Sequence, residues 1–204
     1  MIEGETILPN LPKRWVWSKL IDACQYLPTG IDEYKGSIEY YSTGSITDIS
    51  IVPEGLYSFT ERPSRANRVS KTGDVFQARM ANTNKAVLIE DDLDNKLFST
   101  GFIQLRPFDC CANMSPFIYY YVQSIDFFKQ RDALATGSTQ VALTDASAVH
   151  ITFPFAPLPE QHRIVAKIDE LLTRLDAGVE ALKKMQLQLK RYRQSKVGPI
   201  VRTG

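Results

Sequence analysis

A chain of 204 residues, 44% of them hydrophobic, can bury one core of ordinary domain size and still extend a further long element. The richest apolar run, Phe117-Ile118-Tyr119-Tyr120-Tyr121-Val122, falls far short of the ~18 residues of a membrane span, and no charged, apolar leader opens the chain. Three cysteines, two of them adjacent at Cys110 and Cys111, make neither a disulfide framework nor a zinc spacing, so a soluble, cytoplasmic protein is expected. The net charge of +1 conceals a division: residues 159–204 hold ten Lys/Arg against five Asp/Glu, and the remainder is acidic.

In chain order, residues 1–10 form a mixed polar tail, and Trp15 and Trp17 suggest a strand or edge packing on the core. Ser18 to Tyr26 reads as a short helix, Ile38 to Tyr41 as a strand, Ser42 to Ser45 as a turn, and Thr47-Asp48-Ile49 as the start of a further extended piece. Arg62 to Ser70 is polar, carries Pro63, has no period and reads as a loop. Asp74 to Met80, Lys85 to Glu90 and Phe102 to Arg106 read as strands, with a turn over 81–84. The acidic stretch from Glu90 to Asn95 lacks the alternating ligands and glycine of a calcium loop and reads as a solvated turn. Ser115-Pro116 starts a helix whose apolar residues recur to Phe128, which makes the three tyrosines core residues. A small-polar loop spans 135–140, Val149 to Phe153 is a last strand, and Pro154 with Pro157 forms an elbow. The fold class is α+β, a mixed globular body followed by a long helix.

That helix carries the strongest pattern in the chain. Ile168, Leu175, Leu182 and Leu189 stand seven apart; Ile164, Leu171, Gly178, Met185 and Tyr192 form the second row. This is a coiled-coil seam of period 3.5, widened by Val165, Leu172 and Val179. Pro159 suits a first helical turn, Glu160 complements the dipole, and Gly198-Pro199 ends the rod, about 54 Å long at ~1.5 Å per residue. Gly178 marks either a close approach to a crossing helix or a tolerated weak spot costing ~1 kcal/mol against alanine.

Inside the acidic body, Arg62, Arg65, Arg68, Lys71, Arg79 and Lys85 stand against the single acid Asp74. Such a strip is either a polyanion contact or a solvated basic face. Catalytic signatures are missing: there is no Gly-rich strand-to-helix turn and no Asn/Asp-Pro-Pro-aromatic tetrapeptide. His150 and His162 each lack a cysteine or carboxylate cluster around them. The chain reads as a non-enzyme with no cofactor of its own.

Phe153-Pro154-Phe155-Ala156-Pro157-Leu158-Pro159-Glu160-Gln161-His162-Arg163-Ile164-Val165 resembles the Ile-Pro-Leu-Pro-Pro-Leu-x-Glu-Gln-x-x-Ile-Val signature of type I restriction–modification specificity subunits. It departs at Ala156, where proline is usual, and at Pro159, where an alanine-like residue is usual. Further matches are Leu11 to Val16, Gly73-Asp74-Val75 with Ala78-Arg79, Leu97 to Phe102 with Leu105-Arg106-Pro107, and Leu189 to Gln194. The resemblance implies a DNA reader: each recognition domain reads half of a bipartite site, and spacer helices set the gap. The rods also dock modification subunits, which bind S-adenosylmethionine and methylate adenine, and through them the restriction subunit. Family members typically carry two recognition domains and two spacers; this chain has one of each and looks like a half subunit, natural or cut, with residues 201–204 resembling a truncation edge. The expected divisions are 11–156 for recognition and 157–198 for the spacer, between tails at 1–10 and 199–204.

On that reading Arg62, Arg65, Arg68, Lys71 and Lys85 supply phosphate contacts on duplex DNA. Arg79, Asn82 and Gln104 reach base edges, and Ser138, Thr139 and Gln140 sit on a second DNA-facing loop. The apolar seam is most simply satisfied by a second copy in a two-fold homodimer, which implies a palindromic target with a gap of several base pairs. The competing outcome is a monomer whose stripe folds back on its own body or waits for a modification subunit. The alternative is a coiled-coil adaptor or decoy that competes for modification subunits with no DNA specificity of its own.

Overall fold

The computed structural model describes residues 10–47, 50–137 and 141–196, and the chain divides into two compact units between Gln161 and His162. In the first unit, β1 (Val16–Lys19) pairs antiparallel with β10 (Thr152–Phe155). A second sheet has the order β2 (Cys24–Tyr26), β9 (Phe102–Pro107), β6 (Val75–Ala78), β7 (Ala86–Leu88), all antiparallel. The third has the order β4 (Gly55–Tyr57), β3 (Ile38–Tyr41), β8 (Leu97–Ser99), β5 (Ala66–Val69), with the β3–β8 pair parallel. Helices α1 (Ser115–Tyr121), α2 (Ile125–Leu134) and α3 (Asp145–Ala148) follow the sheets, and α4 (Leu158–Lys196) leads out of the unit. The α+β class and the long terminal helix are as expected from the sequence.

The two four-stranded sheets share a core. Phe76 of β6 stacks on Phe98 of β8 at 4.3 Å between centroids, and Tyr41, Ile46, Val87, Ile89 and Phe102 close around them. All four residues of β6 are buried, so this strand runs through the centre of the body.

Four local expectations change. Ser18 to Tyr26 is two strands joined by one 3₁₀ turn at Leu20–Asp22, because pairing with β10 and β9 satisfies backbone groups that a short helix would leave open. The expected loop over 62–70 contains β5, whose alternation is hidden in the sequence because one inward residue is the charged Arg68. The single helix through Phe128 is broken in two: the Ser124 hydroxyl accepts from Phe127 N and restarts it as α2. The last strand lies at 152–155, after α3, so Pro154 is a strand residue paired with Trp17 rather than part of an elbow. It is tolerated because, among the described residues, this sheet has two strands, each an edge strand. Asp48 and Ile49, in the extended piece expected from Thr47, lie outside the described residues, as do the first nine residues and the expected helix stop at Gly198-Pro199.

Two interactions explain motifs that look unrelated in sequence. Asp74, 1% exposed, receives both Nε and Nη2 of Arg106 at 2.6 and 2.7 Å, Gln104 Nε2 at 2.7 Å, and the Lys71 backbone N–H at 3.0 Å. Gly73, at φ +90°, makes the preceding bend that an L side chain would strain. At the other end of the unit, the Trp15 indole donates to Glu160 at 2.8 Å and Gln161 Nε2 donates to the Ala156 carbonyl at 2.7 Å. The Glu-Gln pair thus seats the first turn of α4 against the start and end of the body's own chain.

Candidate nucleic-acid interface

The β6–β7 hairpin turn, residues 79–85, lies within the basic strip and is braced from two sides. Its backbone is tied on one side to the β8–β9 turn, Arg79 N–H donating to Gly101 O at 3.0 Å. On the other side it is tied to the 141–143 segment, through Ala81 to Val141 at 3.0 Å and Leu143 to Arg79 at 2.8 Å. Side chains add to this. Buried Arg131 of α2 donates to the Thr83 carbonyl, Lys85 Nζ donates to Thr43 O at 2.7 Å, and Arg79 Nη2 meets Asp145 at 2.6 Å. At the tip Asn82 is exposed and adopts φ 60°, a left-handed conformation that asparagine tolerates better than most residues. Arg65 is exposed on the same end, its carbonyl accepting from Thr100 N of the β8–β9 turn.

The strip read from the sequence is therefore not one surface. Arg65, Arg79, Asn82 and Lys85 gather around the hairpin turn. Lys71 lies beyond the other end of β5, six residues from Arg65 and about 20 Å away at ~3.3 Å per residue. It is exposed there next to a turn in which Thr72 bonds Asp94 and Asp91. Arg62 folds back on its own loop, its guanidinium 3.9 Å from the Phe59 ring centroid and donating to the Phe59 and Ala66 carbonyls.

Two residues are corrected outright. Arg68 is 1% exposed, with Nη1 donating to Leu27 O at 2.6 Å, and cannot be a surface phosphate contact. Gln104 is buried and divides its amide between Val69 O and Asp74, so it shapes the core and does not reach a base edge. Ser138, Thr139 and Gln140 lie outside the described residues. The sequence reading missed Asp145 and Arg131: neither belongs to a motif, and only the fold brings them to the 79–85 turn.

Electrostatically the turn's root is unusual. Arg68 and Arg79 approach the single carboxylate of Asp145, at 3.9 and 2.6 Å. Burial first, then the neighbouring Arg79, pushes the Arg68 guanidinium down to about 10, while Asp145 pulls it up. Two guanidiniums thus face one carboxylate at the root of the turn.

In the second unit the helix presents its seam to solvent. Leu171, Leu175, Leu182, Met185, Leu189 and Tyr192 are each at least half exposed, Ile164 and Ile168 less so. An added Cβ on Gly178 meets no heavy atom within 4 Å. Among the described residues, no helix is long and apolar enough to cross a membrane.

The fold is a mixed α+β body with a braced polar turn, followed in the chain by the amphipathic helix α4. Residues 12–190 match the family described as type I restriction modification DNA specificity domain, and the chain belongs to that family. That is a recognition family, which agrees with the non-enzyme reading of the sequence. The fold also matches a protein solved in work on complex assembly and conformational transition of the type I R-M system. There the TM-score is 0.76 at 27% identity over 97% of this chain and 53% of that one. The HsdS subunit from Thermoanaerobacter tengcongensis gives 0.74 at 26% identity, covering 100% and 54%. The S subunit from M. genitalium shares the fold alone, at 0.53 and 17% identity over 88% and 46%. This chain spans about half the length of these proteins. No curated protein gives a significant match.

Proposed function

We propose that this chain is a non-catalytic DNA reader of a type I restriction–modification complex, in which residues 11–156 read one half of a bipartite duplex target and residues 157–198 act as the spacer. The observation that carries the reading is the family match running through both body and helix, on a body where Asn82 and Arg65 are both exposed beside the bonds that tie Arg65 and Arg79 to the β8–β9 turn. Asparagine offers the paired donor and acceptor that adenine's major-groove edge requires, and Arg65 supplies a phosphate contact. The helix docks the modification subunit, and through it the restriction subunit, in the cytoplasm. Its seam pairs with a second copy, so that two bodies read a two-fold symmetric target.

The test is equilibrium binding to duplex DNA across a salt series. Arg65→Ala weakens binding to every sequence alike and lowers the slope of log K against log salt by about 1. Asn82→Ala instead costs about 1–3 kcal/mol at a single base pair and relaxes preference there. Unchanged affinity for both variants in the assembled complex overturns the reading and leaves the adaptor.

A further inference from the structure

Asp145 belongs to no sequence motif, yet it joins three pieces of the body. Its carboxylate stands at the start of α3, 2.6 Å from Arg79 Nη2 at the end of β6 and 3.9 Å from Arg68 Nη2 of β5. Neither arginine is otherwise well answered: Arg68 Nε and Nη2 and Arg79 Nε are buried with no hydrogen-bond acceptor among the described residues. Two guanidiniums of like charge repel, and one carboxylate between them is what makes their adjacency tolerable. The same carboxylate fastens the 141–145 segment to the 79–85 turn, alongside the Leu143–Arg79 and Ala81–Val141 backbone bonds and the Met80–Ala142 bridge. The exposed tip of that turn is Asn82.

We propose that Asp145 is a positioning residue for DNA reading. Lodged between Arg79 and Arg68, it fixes the root of the 79–85 turn so that Asn82 meets a base edge in one geometry. It touches no DNA itself. The inference rests on the DNA-reading proposal above and adds a residue to it. Because Asp145 is an acid beside a polyanion-binding surface, its direct electrostatic effect on DNA is repulsive. Removing its charge should therefore separate affinity from selectivity: nonspecific binding holds or rises while discrimination falls.

The experiment selects duplexes from a randomised pool with the full chain, alone and with its modification subunit. It then measures affinity for the enriched duplex and for a scrambled one. For Asp145→Asn we expect scrambled-duplex affinity unchanged or up to about twofold higher and the enriched-to-scrambled ratio about tenfold lower. Asp145→Glu, which keeps the charge, restores most of the ratio. An Asp145→Asn ratio within twofold of the unaltered chain overturns the proposal, as does an equal loss on both duplexes in a chain that melts normally. Should Asp145→Asn fail to fold, Asp145→Ser, which also removes the charge, decides: a ratio at least threefold lower at unchanged melting temperature supports the role, and an unchanged ratio overturns it. If the unaltered chain enriches no sequence in either setting, the DNA-reading proposal itself falls and takes this one with it.

Discussion

In the body, charges that burial makes expensive are answered from within: Asp74 is enclosed by Arg106, Gln104 and a backbone N–H, and Arg131 is spent on a turn carbonyl and the carboxylate of Asp132. Along the helix after His162 the situation is reversed. Its charges sit in water in short-range pairs such as Lys167–Glu170, Arg174–Glu170 and Lys183–Glu180, where solvent screens them, while its leucines stand exposed. A region that satisfies its own polar groups and buries its own apolar ones is complete as a fold. A region with an apolar stripe in water is the one that the proposed pairing would complete.

The largest expected effect breaks the body. Asp74→Ala strands Arg106 and Gln104 and should lower stability by about 3 kcal/mol in urea denaturation, with the helix's self-association untouched in light scattering. Next comes the rod: Leu175→Lys puts a charge in the seam and should weaken self-association about 100-fold, on the order of 2.7 kcal/mol, while the body's melting temperature stays put. A monomer of 23.0 kDa at micromolar concentration in the unaltered chain removes the dimer from the account. The smallest effect sharpens the comparison. Gly178→Ala should add ~1 kcal/mol of helix stability without loosening the pair, since nothing in the chain crowds that Cβ. A tenfold loss of self-association would instead make Gly178 the point of closest approach.

Legibility in the sequence follows the same division. The start of the helix was readable almost to the residue, at Leu158 where the turn signals put 159, and its course is legible because the stripe is local and periodic. The class of the body and most of its strands were readable too. What escaped is non-local. Arg68 looked like a surface cation because burial of an arginine depends on Leu27, Arg79 and Asp145, up to 77 residues away. Gln104 looked like a base reader because its partner Asp74 lies 30 residues off. The Gly73-Asp74 and Leu105-Arg106 motifs were visible separately, and only the β6–β9 pairing makes them one ion pair.

If, as proposed, one body reads half a target and the rod pairs two bodies symmetrically, sequencing modified bases in DNA treated with this chain, a modification subunit and S-adenosylmethionine should show adenine methylation within a bipartite motif whose halves are inverted repeats across a fixed gap. Methylation at an asymmetric motif would contradict the two-fold pairing, and methylation without sequence preference would contradict the reader itself.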